Sequence, residues 1–254
     1  MKCYMCEDEA TSAEHVPPKC LFPEAKDVKG YNFRKNLITV PSCALHNLSK
    51  SSDDEFLMFS LAGLLDNNSV GHLHFFTKVN RAARRKEKDF IVKQILRNHK
   101  FESLKTIDDK VTIASIGEPN YERLLSCFDS ICKGIYYHEF GGKFCGDVRF
   151  FFGFLEYKDP TTQTLKKFIK KRYEAEPELL LEIKGDNKSV FYYQFVKPDK
   201  DGLIALKLVF YGRAEVFVSY KPTESPEPFD LTFALLQGGV KTIIKLGDEN
   251  FEFN

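Results

Sequence analysis

No apolar run in this sequence approaches the ~18 residues that a membrane-spanning helix requires, so no membrane partner is expected. Its opening, Met-Lys-Cys-Tyr-Met-Cys-Glu-Asp-Glu, is too polar for a secretory leader, and a cytoplasmic location is the expectation. An excess of one charge is also lacking. The formal net charge is +1, so the whole-chain field neither draws nor repels a polyanion, and only local patches can. Internal repeats and low-complexity tracts are absent. A full disulfide framework does not fit, because the seven cysteines are odd in number and four of them fall within the first 43 residues. In a reducing compartment, paired cysteines near a histidine are more often metal ligands.

What is present reads as a globular chain. Its 254 residues, 43% hydrophobic and 29% charged, are enough for one large domain or for a small one plus a medium one. Residues 1–50 are rich in Cys, Pro, His and Asn and poor in apolar periodicity, so something other than a hydrophobic core must hold them. From Ser52 the character changes. Ser52-Asp53-Asp54-Glu55 reads as a capping box, followed at helical spacing by Leu57, Leu61, Leu64 and Leu65. The pattern predicts a second helix over residues 78–99, with Val79, Ala83, Phe90, Ile91 and Ile95 inward. Strands are predicted at 111–116, 147–157, 190–196, 203–210, 214–220 and 242–246, with helices at 121–133 and 162–173. The pair 203–210 and 214–220 reads as a hairpin turning at Tyr211-Gly212-Arg213, and 222–228 as a loop.

The chemistry concentrates near the N-terminus. Cys3-x-x-Cys6 is a metal knuckle, in which two thiolates three positions apart grip one face of a tetrahedral ion. Cys43-Ala-Leu-His46 repeats the spacing and completes a closed four-ligand set suited to structural Zn²⁺. Between the two half-sites lie Glu14-His15-Val16-Pro17-Pro18-Lys19 and Asn36-Leu37-Ile38-Thr39-Val40-Pro41. Asn47 follows His46, and Lys50 comes three residues later.

This order of motifs over residues 3–50 resembles the HNH endonucleases of the ββα-metal superfamily. The strand and helix signals of residues 57–254 read as a helical connector and an α+β domain with a mostly antiparallel sheet, and the resemblance implies a zinc-stabilised ββα-metal module in residues 1–56, so that the expected fold class is α+β. The resemblance further implies that a strand carrying His15 lies against a second strand at 37–40, with a helix starting near Ser42 packed across both. His15 is then the general base that takes a proton from water, a task suited to neutral imidazole near pH 7. Glu14 and Asn47 would hold one Mg²⁺ or Mn²⁺, Asn36 would orient His15, and Lys50 would contact a phosphate. Two departures from the family pattern stand out: Glu14 replaces the usual Asp, and Asn47 the last His of the triplet. His46 read as that final catalytic histidine would leave only three zinc ligands, so the closed-site rule assigns it to zinc.

Taken singly, His15 could be a strand-end histidine bonded to a carbonyl, Asn36 a turn former and Asn47 a solvent-facing helix residue. Their joint occurrence between two metal half-sites points to the enzyme. Asp53, Asp54 and Glu55 are read as helix capping and dipole complementation. Cys20, Cys127, Cys132 and Cys145 are read as packing thiols. His72 and His74 alternate as on a strand or loop, and with His99 and His138 they receive no role. Residues 78–105 carry ten Lys/Arg against three Asp/Glu. Arg81, Arg84, Arg85 and the basic residues up to Lys100 could neutralise phosphates. Lys166, Lys167, Lys170, Lys171 and Arg172 form a second basic run, and for both a solvated helix face is the alternative.

The expected function is hydrolysis of DNA phosphodiesters, with RNA as the alternative substrate. The C-terminal domain would supply substrate selection, a partner interface or control. A non-catalytic zinc-stabilised nucleic-acid-binding or interaction module is the competing reading. By architectural analogy with anti-phage systems, a defence or toxin effector silent until a partner releases it is a third.

Overall fold

Strand β1 (Ser12–His15) pairs antiparallel with β2 (Thr39–Ser42), placing Ser12 opposite Ser42 and His15 opposite Thr39. Neither strand is rich in β-formers, and the ladder gains one further bond where Val16 N donates to Ile38 O at 3.0 Å. The second strand begins two residues later than residues 37–40 suggested, after the chain has turned through a left-handed Asn36 with φ 50°. These elements belong to a computed structural model that describes residues 1–48, 51–85, 96–105, 111–225 and 231–254. The fold is α+β with antiparallel sheets.

Chain contacts gather residues into two units. The first is Met1–Phe144 with the short returns Asp186–Phe191 and Phe210–Arg213. After β2 come α1 (Ala44–Leu48), α2 (Ser51–Ala62), α3 (Ser69–His74), a single π turn (Phe75–Val79) and α4 (Asn80–Ala83). The expected boundary at 56/57 falls inside α2. Strands β3 (Leu96–Lys105) and β4 (Val111–Pro119) form an antiparallel pair, and α5 (Tyr121–Phe140) follows. Asn120 caps α5 by accepting from Arg123 N at 3.3 Å, and Gly141 ends it in the left-handed conformation. Phe56, Leu57 and Leu61 of α2 and Leu124, Phe128 and Ile131 of α5 are buried and supply much of this unit's core.

Several expectations are corrected here. Ser52 does not cap α2, which already includes Ser51, and the helix ends at Ala62, leaving Leu64 and Leu65 beyond it. The helix over 78–99 is helical only through Ala83, and from Leu96 the chain is a strand; residues 86–95 lie outside the described residues. The long Lys/Arg-rich stretch has good intrinsic helix propensity, yet the non-local pairing with β4 prevails from Leu96. His72 and His74 lie on helix α3, not on a strand or loop.

The second unit comprises Cys145–Gly185, Tyr192–Val209 and Ala214–Asn254. It contains β5 (Gly146–Phe152), α6 (Pro160–Ala175), β6 (Phe191–Phe195), β7 (Ile204–Phe210), β8 (Ala214–Pro222), α7 (Leu231–Gln237), β9 (Thr242–Leu246) and β10 (Glu249–Phe253). A four-stranded sheet runs β5-β8-β7-β6. Its two inner strands, β7 and β8, are the more deeply buried, with Leu206, Leu208, Val209, Phe210, Val216, Phe217, Val218 and Tyr220 inside, whereas β6 at the edge alternates buried and half-buried residues. The β7–β8 hairpin turns at Tyr211-Gly212-Arg213, where Arg213 N returns to Phe210 O at 3.0 Å. The strand predicted to reach residue 157 stops at Phe152, because Leu155 N folds back onto Phe152 O at 3.1 Å. Helix α6 packs on the β9–β10 pair through Phe168, whose ring meets Phe251 edge-on at 5.3 Å. No helix among the described residues is long and apolar enough to cross a membrane.

Candidate metal centre and adjoining pocket

Cys3 and Cys6 come from the N-terminal loop, while Cys43 and His46 sit just before and within α1. A five-residue helix is too short to persist alone, but it brings positions 43 and 46 onto one side. Cys6 Sγ lies 3.7 Å from Cys43 Sγ, and His46 Nδ1 lies 3.6 Å from Cys3 Sγ, 3.5 Å from Cys6 Sγ and 3.2 Å from Cys43 Sγ. A tetrahedral zinc with its usual bond lengths would space its ligands by about 3.8 Å for sulfur to sulfur and about 3.6 Å for sulfur to nitrogen. All four donor atoms lie within 4.8 Å of one another. A disulfide does not compete, since bonded sulfurs sit about 2.05 Å apart and all seven cysteines are free. The group can therefore hold a metal ion such as zinc, with His46 among the ligands through Nδ1. Without an ion the thiols share protons unequally. Burial of Cys3 is outweighed by backbone hydrogen bonds from Met5, Cys43 and Cys6, which bring it down to about 6. Cys6 rises to about 12 despite the Asp8 backbone bond, as burial and its bonds to Cys43 and Cys3 favour the thiol. A dication would let all three ionise.

Beside this cluster lies a pocket of about 210 Å³, whose lining includes Met5, Glu14, His15, His46, Asp54 and Asp129. His15 ends β1 and its ring makes no hydrogen bond among the described residues. Burial lowers its pKa, helped by Lys19 and Arg34 and opposed by Glu14, so the imidazole is neutral at pH 7. Tyr4 OH donates to Glu14 Oε2 at 3.2 Å. Burial, reinforced by the Glu14 charge, pushes the phenol far above its usual range, so it stays a donor.

The other expected residues are placed differently. Asn47 Nδ2 donates to Ser12 Oγ at 2.8 Å, tying α1 to β1, and Asn47 does not line the pocket. Asn36 is a left-handed turn residue whose amide donates to Asp186 Oδ2 at 2.6 Å, not to His15. Among the described residues no second group of three or more His, Cys or carboxylate ligands converges. Asp53 is held by Arg123 Nε at 2.6 Å, and the same guanidinium bonds the Ser52 carbonyl and hydroxyl; this anchors α2 to α5 where a cap was expected. Lys50 lies outside the described residues. Arg81 makes a bidentate pair with Asp27 at 2.8 and 2.7 Å, Arg84 Nε bonds Asn80 Oδ1, and Arg85 Nε bonds Arg81 O. In the second basic run, Lys166, Lys170, Lys171 and Arg172 pair with Glu156, Glu215, Glu249 and Glu176. Four of the five cations of that run thus meet carboxylates of their own unit.

Cys20 donates to Asp54 O at 3.2 Å, and burial pushes its thiol up to about 12, which makes it inert. Cys127 and Cys132 are buried as expected, but Cys145 is exposed. Sequence reasoning passed over Tyr4 and Asp129. The one signal for Tyr4 was an aromatic residue inside the knuckle; Asp129 reaches the pocket only because α5 packs back against β2. No family model, no curated protein and no solved structure matches the chain, so the HNH resemblance rests on residues 3–50.

Proposed function

We propose that the protein is a metal-dependent endonuclease of the HNH type, hydrolysing phosphodiester bonds of DNA with His15 as general base. The observation that carries this reading is the neutral imidazole at the end of β1, without a hydrogen bond among the described residues, lining a pocket together with Glu14 and with His46 of the zinc-competent cluster. The order strand, strand, short helix around it is the one the resemblance implies. In the reaction, a water oxygen bonds to phosphorus, its proton passes to a ring nitrogen of His15, and the P–O bond to the 3′ oxygen breaks. A hard divalent cation would supply positive charge to the phosphate, and Glu14 with Asn47 are the residues the resemblance assigns to it.

Incubation of the protein with plasmid DNA and Mg²⁺ or Mn²⁺ tests the reading. His15→Ala should cut at least about 10²-fold more slowly than wild type; equal cleavage by both, or none by either with any metal, defeats it. One observation favours the non-catalytic alternative, a zinc-stabilised binding module: the Asn36 amide serves the fold by bonding Asp186. DNA binding with unchanged affinity in His15→Ala and no cleavage would select that alternative.

A further inference from the structure

We infer that Tyr4 is a positioning residue that transmits the geometry of the metal clamp to the Glu14–His15 pair. The inference rests on the reading of His15 as a base. Tyr4 sits between two candidate metal ligands, Cys3 and Cys6, so clamping them fixes its backbone from both sides. A third tether is Tyr4 N donating to Pro41 O at 2.9 Å, within β2, the strand that pairs with β1. The ring is fully buried, and its hydroxyl emerges at Glu14 Oε2, 3.2 Å away. A glutamate in a four-residue strand has three side-chain torsions to sample, and a buried donor bonded to one oxygen narrows that choice. The wall of the pocket is continuous with the clamp, since Met5, adjoining Tyr4, and the ligand His46 both line it. Loss of the metal would therefore disturb the pocket even where the rest of the first unit stays folded.

Tyr4→Phe in the full-length, zinc-loaded protein keeps the ring and removes the hydroxyl. Metal content by elemental analysis should match wild type. kcat for plasmid cleavage should fall about tenfold with KM unchanged, the pattern of a contact that aligns the reacting groups. The ¹H–¹³C signals of the His15 ring should move while those of His72 and His138 do not. Tyr4→Phe combined with Glu14→Ala should be no slower than Glu14→Ala alone, because the phenol acts through that carboxylate. His15 signals and kcat both unchanged, with the metal retained, overturn the inference. If wild type cleaves nothing yet Tyr4→Phe still moves the His15 signals, the nuclease reading fails and the positioning role stands. Should Tyr4→Phe lose its metal, Glu14→Ala reads the same contact from the other end. Displaced Tyr4 ring signals then support the inference, and undisplaced ones overturn it.

Discussion

His74 illustrates what a single side chain contributes here. Its ring is buried, Nε2 bonds Cys20 O at 3.1 Å, and Nδ1 has no hydrogen-bond partner among the described residues. Burial, with Lys78 and Arg34 nearby, lowers its pKa to about 4, although the Cys20 carbonyl and Asp27 oppose the shift. Because the folded value is depressed, the neutral form stabilises the fold fully above the unfolded pKa of about 6.5. That contribution declines as pH falls from there towards about 4 and amounts to roughly 3 kcal/mol in all. Urea unfolding of wild type should show this loss between pH 7 and pH 4, and His74→Gln should flatten it. A pH-independent midpoint in wild type would contradict the assignment. For the metal ligands, Cys43→Ser should remove the bound metal and the fixed structure of residues 1–48, as seen by elemental analysis and hydrogen exchange.

Between elements, close approach sets how α5 packs beside the pocket. Gly134 lets α5 lie against Val16, the residue after His15, and a Cβ there would meet Val16 Cγ2 at 2.7 Å. Gly134→Ala gains about 1 kcal/mol of helix propensity but forces overpacking that costs about 1–3 kcal/mol. A net loss is expected, read as a lower unfolding midpoint and as displaced His15 signals. In the second unit, Glu215 on β8 draws Lys170 of α6 to 2.9 Å and Lys207 of β7 to 2.7 Å. Glu215→Gln leaves two half-buried lysines without their carboxylate and should cost about 1–3 kcal/mol by denaturant unfolding.

At the scale of the whole molecule, the first unit is assembled from three stretches of chain. Tyr211 OH donates to Leu21 O at 2.6 Å, Asn187 Nδ2 to Lys35 O at 2.9 Å, and Asn68 Nδ2 to Ser189 O at 2.8 Å. A fragment ending at Phe144 lacks all three partners. It should unfold at lower temperature than the full chain and bind zinc more weakly, by calorimetry and by competition with a chromophoric chelator; equal values would show the returning segments to be dispensable. These partners were not legible in advance, because bonds between residues more than 100 positions apart leave no local pattern. The knuckles were legible, since the spacing of Cys3 and Cys6, and of Cys43 and His46, is itself the ligand geometry. So were β7, β8 and α5, whose apolar periodicity matches what they bury. Residues 96–99 misled because helix propensity is local, whereas the strand that captures them begins at Val111. Asn36 misled because its amide finds Asp186, which only the fold brings near.

The sequence alone determined the four candidate metal ligands and the order of motifs that places His15 between them, because ligand chemistry and short spacings are written in neighbouring residues. Tertiary structure decided the rest of the site: the phenol on Glu14, the wall that α5 adds, and the internal pairing of cations that had looked free. Each of these depends on which distant groups meet once the core closes, and hydrogen bonds and ion pairs form only between groups that the fold brings into reach.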